Sequence, residues 1–223
     1  MMLLMAAAIW GLGFVAQRLG MDHMGPFTFN GLRFLLGAAS LLPLLWWLKS
    51  RQPRPQAGSP AGDRRLLLVG GLIAGGVLFS AASLQQVGLL YTTAAKAGFI
   101  TGLYIILVPV IGLALRHKTG ANTWIGALIA MAGLYYLSVT EEFTIGYGDL
   151  LQVIGALFWA IHLLVLDHYS NRVAPIRLAG VQFVVCGLLS LGTAFVIETP
   201  TLGGAVAGWQ ALLYAGLVSV GIG

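Results

Sequence analysis

Residues Ala7–Phe34 read AAIWGLGFVAQRLGMDHMGPFTFNGLRF, and residues Ala156–Phe183 read ALFWAIHLLVLDHYSNRVAPIRLAGVQF. Laid over one another at an offset of 149, the two stretches agree at Ala7/Ala156, Trp10/Trp159, Pro26/Pro175, Gly31/Gly180 and Phe34/Phe183, with no gap. Trp and Pro are scarce residues and a single offset carries both, so chance likeness of two apolar stretches accounts poorly for the match. The chain therefore reads as two copies of one unit. Which kind of unit, and which way the second copy faces, follows from the sequence around it.

Of the 223 residues, 58% are hydrophobic and only 9% charged, with a mean hydropathy of +0.90. A water-soluble domain needs far more polar surface, so the solvent for most of this chain is lipid. The 31 glycines suit membrane helices whose backbones approach closely. One cysteine, Cys186, permits no internal disulfide. Apolar runs of spanning length cover Met2–Leu19, Phe27–Leu48, Leu66–Leu90, Thr93–Leu115, Thr123–Val139, Leu150–Leu166 and Leu178–Ile197, and an eighth starts at Trp209. Their length excludes the short alternating strands of a barrel, so they are helices. The expectation is an all-α polytopic membrane protein with seven complete helices and part of an eighth. The opening "MMLLMAAAIWG" lacks the basic flank of a signal peptide and reads as a permanent helix.

The net charge of +5 is a topology signal. Lys49, Arg51, Arg54, Arg64, Arg65, Arg116, Lys118, Arg172 and Arg177 occupy connections that fall on one side, whereas Asp22, Glu141, Glu142, Asp149 and Glu198 occupy the other. The positive-inside rule places the basic side, and with it the N-terminus, in the cytoplasm of a plasma (bacterial inner) membrane. Nucleic acid has no place in that account. The Pro/Gly-rich stretch Lys49–Arg65 reads as an extended cytoplasmic linker.

One copy of the repeat contains five helices and ends near Val139. Five is odd, so the second copy enters the membrane upside down, which is the inverted-repeat construction of many secondary transporters. The expected division is 1–140 for the first repeat, 141–149 for an extracytoplasmic linker and 150–223 for the second. A smaller offset of 145 lays Ala215–Gly223 (AGLVSVGIG) on Gly70–Leu78 (GGLIAGGVL). On that register the second copy stops within its third helix, and the chain is expected to be a C-terminally incomplete form of a 5+5 protein.

The stretches AAAIWGLGFVAQRLG, GPFTFNGLRFLLGAASLLPL, YTTAAKAGFITGLYIILVPVIGLAL and GALFWAIHLLVLDHYSNRVAPIRLAGVQFVVCGLL together resemble EamA-type proteins of the drug/metabolite transporter superfamily. The resemblance implies ten helices in two inverted five-helix repeats and a cytoplasmic N-terminus. It further implies transport of a small metabolite, amino acid or drug, often outward, and leaves the substrate unspecified.

The candidate binding residues are Trp10, Arg33, Lys96, Tyr104, Trp159, His162 and Gln182. Arg33 and Lys96 belong to the outward half of their helices and would attract an anionic or zwitterionic solute, since an intramembrane charge is a functional candidate by default. Snorkelling to the headgroups competes for both, and for Arg18 at the outer end of helix 1. No carboxylate inside a span is expected to pair with them. Thr92 or Thr93 can cap helix 4, Gly98 and Gly102 permit close packing, and Pro109 is expected to kink that helix. His162 could take a proton in a coupled cycle or bond a neighbouring helix. Gln182, the repeat mate of Arg33, offers uncharged donors and an acceptor. Trp10 and Trp159, repeat mates, would flank the central cavity or pack against lipid.

No Walker A loop, HExxH, CxxC or GxSxG occurs, so no cofactor, metal or catalytic residue is expected. The expected partners are a solute, the lipid bilayer, protons as coupling ion, and a second copy in a homodimer. The competing reading is a membrane-embedded enzyme acting on a lipid-linked substrate, for which only the adjacent Asp167 and His168 offer chemistry at an interface.

Overall fold

The computed structural model describes residues 2–51, 64–115, 120–138 and 146–222. The core of the basic linker, Arg116, Lys118 and the Glu141–Glu142 pair lie outside the described residues. The described chain is helical throughout. Its elements are α1 (Met2–Gly20), α2 (Pro26–Arg51), α3 (Arg64–Gly88), α4 (Ala94–Thr101), α5 (Tyr104–Ala114), α6 (Ala121–Ser138), α7 (Tyr147–Ser170), α8 (Pro175–Ile197), α9 (Leu202–Ala207), α10 (Trp209–Leu213) and a π-helical segment, Tyr214–Val220. Among the described residues, five stretches are long and apolar enough to cross a membrane: Pro26–Leu48, Arg64–Gly88, Ala94–Ala114, Tyr147–Ser170 and Pro175–Ile197. Leu4–Gly20, Ala121–Gly133 and Trp209–Val220 are shorter apolar helices. Each of the eight expected apolar runs thus has a helical counterpart.

The distribution of side chains inverts that of a soluble protein. Leu42, Trp46, Leu72, Ile129, Phe195 and Val196 stand exposed, while Gln17, Asn30, Arg33, Gln86, Gln152 and Gln182 are buried. Lipid explains both: it accepts the apolar rim and forces polar groups inward to find partners.

The chain forms two compact units. The first comprises Met1–Phe79 with Val165–Gly223, the second Ser80–Leu164. In the first unit, α2 and α8 pack along one another and both begin with proline, Pro26 and Pro175. Proline suits the first helical turn, where its missing N–H is not needed, and this places both starts ahead of the first strongly apolar residue. Glu198, at the C-terminal end of α8, accepts hydrogen bonds from the N–H groups of Phe27 and Thr28, each at 2.8 Å, and from the Thr28 hydroxyl at 2.6 Å. Expected as a loop charge, Glu198 instead caps the N-terminus of α2, where the free N–H groups and the helix dipole favour an anion. Phe29 of α2 packs with Leu212 and Ala215, and the Tyr214 hydroxyl donates to the Ile9 carbonyl at 3.0 Å, tying the π-helical segment to α1.

Two glycines reveal the register of the repeat. A Cβ on Gly75 would stand 2.9 Å from the Gln182 carbonyl and 2.6 Å from Val185, and one on Gly216 would stand 3.0 Å from the Arg33 carbonyl and 2.7 Å from Leu36. Gln182 and Val185 are the mates of Arg33 and Leu36 at offset 149, so Gly216 is the mate of Gly75, at offset 141. The sequence register of 145 pairs Gly216 with Gly71 and is displaced by one helical turn. The second copy covers Gln182 to Gly216 in eight residues fewer than the first takes from Arg33 to Gly75, and an apolar sequence match does not fix where they are lost. A π-helical stretch follows, with Gly221 N–H bonded to Gly216 C=O five residues back at 3.1 Å.

In the second unit, the expected single helix 4 is divided. α4 ends at Thr101 and α5 starts at Tyr104, across a tight turn in which Leu103 and Ile105 bond three residues back, to Ile100 and Gly102. The interruption falls at Gly102–Leu103, whereas Pro109 lies buried within α5. Thr93 is the N-cap and accepts from the Lys96 N–H at 3.2 Å. Both halves pack against α6. α7 is longer than its apolar run because Asp149 at one end and Asp167 and His168 at the other are helical.

Candidate functional site

α7 carries a polar stripe that the apolar pattern conceals. Asp149, Gln152, Trp159 and His162 recur at helical spacing and share one face. Asp149, Gln152 and His162 are buried. Facing them are the C-terminal half of α3 and both ends of α4. The Gln152 amide donates to the Gln85 carbonyl at 2.8 Å, and its oxygen accepts from the Thr101 hydroxyl at 3.3 Å. The Trp159 indole N–H donates to Oε1 of Gln85 at 2.9 Å, and its ring meets His162 edge-on with centroids 5.8 Å apart. Two of the seven sequence candidates, Trp159 and His162, are thereby brought together, along with Gln85, Gln152 and Thr101, which are absent from the sequence candidates. A signal for them exists: glutamines on facing apolar helices are costly in lipid unless they find hydrogen bonds across the interface.

Lys96 is not alone at the mouth of α4. Its ammonium stands 3.9 Å from Oδ2 of Asp149, and Asp149 also accepts from the Thr92 hydroxyl at 2.5 Å and from the Gly146 N–H at 3.0 Å. This corrects the expectation that no carboxylate in a span would pair with Lys96. Hydropathy alone leaves Asp149 in a connection, because the apolar run starts one residue later. Its position as the third residue of α7 lets the helix N-terminus and a cation stabilise its charge together. Tyr147 and Tyr91 close the same end with an edge-on ring contact, centroids 5.3 Å apart.

In the first unit, Arg33 is 4% exposed within α2. Its guanidinium carbon stands 4.8 Å from the centroid of the adjacent Phe34 ring, and among the described residues its Nε has no hydrogen-bond partner and no carboxylate pairs with it. A cation–π contact returns only about 0.5–2 kcal/mol, short of the several kcal/mol a buried charge costs. Its mate Gln182 is likewise 4% exposed on α8. Burial speaks against snorkelling for Arg33, while Arg18 is exposed. Trp10 is 46% exposed. A Cβ on Gly13, the mate of His162, would lie 2.9 Å from the Ser219 hydroxyl, which would have to turn aside. Tyr104 is half-buried at the first turn of α5.

A groove of about 430 Å³ in the first unit is lined by Leu12, Val15 and Leu19 of α1, by His23, and by Gln210 and Tyr214. None of the candidate residues line it. Among the described residues, no cluster of three His, Cys, Asp or Glu side chains could hold a metal.

The sequence pattern of the EamA-like transporter family matches residues 1–139 and 146–223. The chain belongs to the EamA-like transporter family. An uncharacterized transporter of Archaeoglobus fulgidus is 33% identical over 202 residues, covering 89% of this chain and 58% of that protein. The uncharacterized transporter YetK of Bacillus subtilis is 29% identical over 227 residues, 95% of this chain and 65% of its own length. A third, sll0355 of Synechocystis, is 25% identical and covers 93% of this chain and 66% of its own. The chain thus spans about three-fifths to two-thirds of these EamA relatives. A solved crystal structure superposes with a TM-score of 0.70 over 98% of this chain and 74% of the other, at 20% identity, which speaks to the fold alone.

Proposed function

We propose that this EamA chain serves a secondary transporter that moves a small anionic or zwitterionic solute outward across the plasma membrane. Two oppositely oriented repeats, 1–140 and 150–223 with 141–149 between them, work by alternating access, and the N-terminus is cytoplasmic. The observation that carries this reading is Arg33: a guanidinium buried in an apolar helix with an unpartnered nitrogen and no carboxylate among the described residues beside it. Such a group is retained in a membrane when an acid arrives to meet it. Gln182, in the equivalent place on α8, supplies uncharged hydrogen bonds to the same solute.

Lys96, held by Asp149, acts at the mouth rather than on the solute. Trp159 and His162 shape the polar interior of the second unit. The relatives' names, all transporters, agree with this reading. The test is counterflow in proteoliposomes, using solutes that first raise the melting temperature of the purified protein. Arg33→Ala is expected to lower uptake at least about tenfold, with Arg33→Lys intermediate, because the ammonium keeps the charge and loses the bidentate fork. Wild-type rates in a properly folded Arg33→Ala protein would remove Arg33 from the site.

A further inference from the structure

α3 uses one side to meet α7. Gly155 of α7 packs over Ala81, Leu84 and Gln85, and Gly88 meets Gln152. At 100° per residue, Ser83 and Gln86 lie on the side turned away from those contacts, three residues apart and therefore adjacent. Gln86 is fully buried. Among the described residues, neither its Nε2 nor its Oε1 has a hydrogen-bond partner, and neither does the buried Oγ of Ser83. Three neighbouring polar atoms are thus desolvated without compensation on one stripe of a membrane helix, where nearly every buried polar group finds a partner. Gln85, one residue earlier, shows the ordinary outcome, with its oxygen taken by Trp159.

We infer that Ser83 and Gln86 form a neutral subsite that receives an uncharged hydrogen-bonding group of the solute, a carboxamide or a hydroxyl. This rests on the transport reading above and concerns the second unit alone, where Ser83 and Gln86 set a requirement for an uncharged hydrogen-bonding group. The carboxamide offers a donor and an acceptor, and the hydroxyl serves as either, so together they match a group that both gives and takes a hydrogen bond. A site built this way rejects an analogue of equal shape that lacks the polar group, because the protein's own polar atoms would remain unpaired.

The probes are L-glutamine and L-methionine, similar in length, of which only the first carries a carboxamide. The full chain, purified in detergent, is melted over a concentration series of each. Glutamine is expected to raise the melting temperature of the wild type and methionine to do so only at concentrations at least about tenfold higher. In Gln86→Met the preference is lost, and without ligand this variant melts no lower than the wild type, since it removes desolvated groups that hold nothing. Ser83→Ala weakens the preference in the same direction and keeps the test open should Gln86→Met fold poorly. Equal response to the two probes in the wild type, a preference that survives both substitutions, or a lower unliganded melting temperature in both variants would overturn the subsite. In the last case the stripe is held by a structural water or by packing. Counterflow of glutamine separates the two claims: discrimination without flux sinks transport and leaves the subsite, and flux untouched by either substitution does the reverse.

Discussion

Phe34 and Phe183 stand 149 residues apart in sequence and meet ring to ring, centroids 5.9 Å apart and planes tilted by 40°. They are also mates in the internal repeat. A residue that touches its own counterpart lies on the axis relating the two copies, as in an isologous interface between identical subunits. The Gly75 and Gly216 contacts obey the same relation, because each glycine sits over the equivalent carbonyl of the opposite copy.

That relation makes a quantitative prediction about packing. A valine at Gly216 would push against the Arg33 carbonyl and Leu36, and one at Gly75 against the Gln182 carbonyl and Val185. Backbone cannot move aside as a side-chain tip can. Each substitution is expected to destabilise by about 1–3 kcal/mol, read as a lowered melting temperature in detergent. Gly11→Val, at a glycine with open space around it, is the control and is expected to change little. A tolerated Gly216→Val would refute the pairing of Gly216 with Gly75.

The helices and the repeat are legible in the sequence because lipid leaves so few options. Apolar length fixes a span, and Trp10/Trp159 and Pro26/Pro175 survive as landmarks. The site is less legible for a physical reason. Apolar periodicity marks where a helix is greasy, so polar residues near its ends, Asp149 above all, fall out of the element that carries them. Glu198 resembles a loop charge because a cap formed 170 residues away leaves no local trace. Arg33, Trp159, His162 and Gln182 stand out by being polar or bulky inside a span, whereas Gln85, Gln86 and Gln152 escape notice because an uncharged amide raises no alarm in a hydropathy profile.

Asp149 and Lys96 are expected to behave unequally although they form a pair. The Lys96 side chain is 26% exposed and its ammonium 3.9 Å distant, so Lys96→Ala should cost no more than about 1 kcal/mol, as for other solvent-screened pairs. Asp149 also holds the Thr92 hydroxyl and the Gly146 N–H. Asp149→Ala should therefore cost about 1–3 kcal/mol. Melting temperatures of the two variants and of the double variant settle the order. Equal effects would mean that the ion pair, and not the hydrogen bonds to Thr92 and Gly146, holds the ends of α4 and α7.

Gln85 and Trp159 provide the last test, because their hydrogen bond can be removed from either side. Gln85→Leu leaves the indole N–H of Trp159 without its acceptor, and Trp159→Phe leaves Oε1 of Gln85 without its donor. Each single change is expected to cost about 1–3 kcal/mol, most of it the desolvation of the orphaned group. The double variant removes both polar groups, so its cost should fall short of the sum by at least about 0.5 kcal/mol, the signature of a direct interaction. Strict additivity in that cycle would show that Trp159 is held by apolar packing alone.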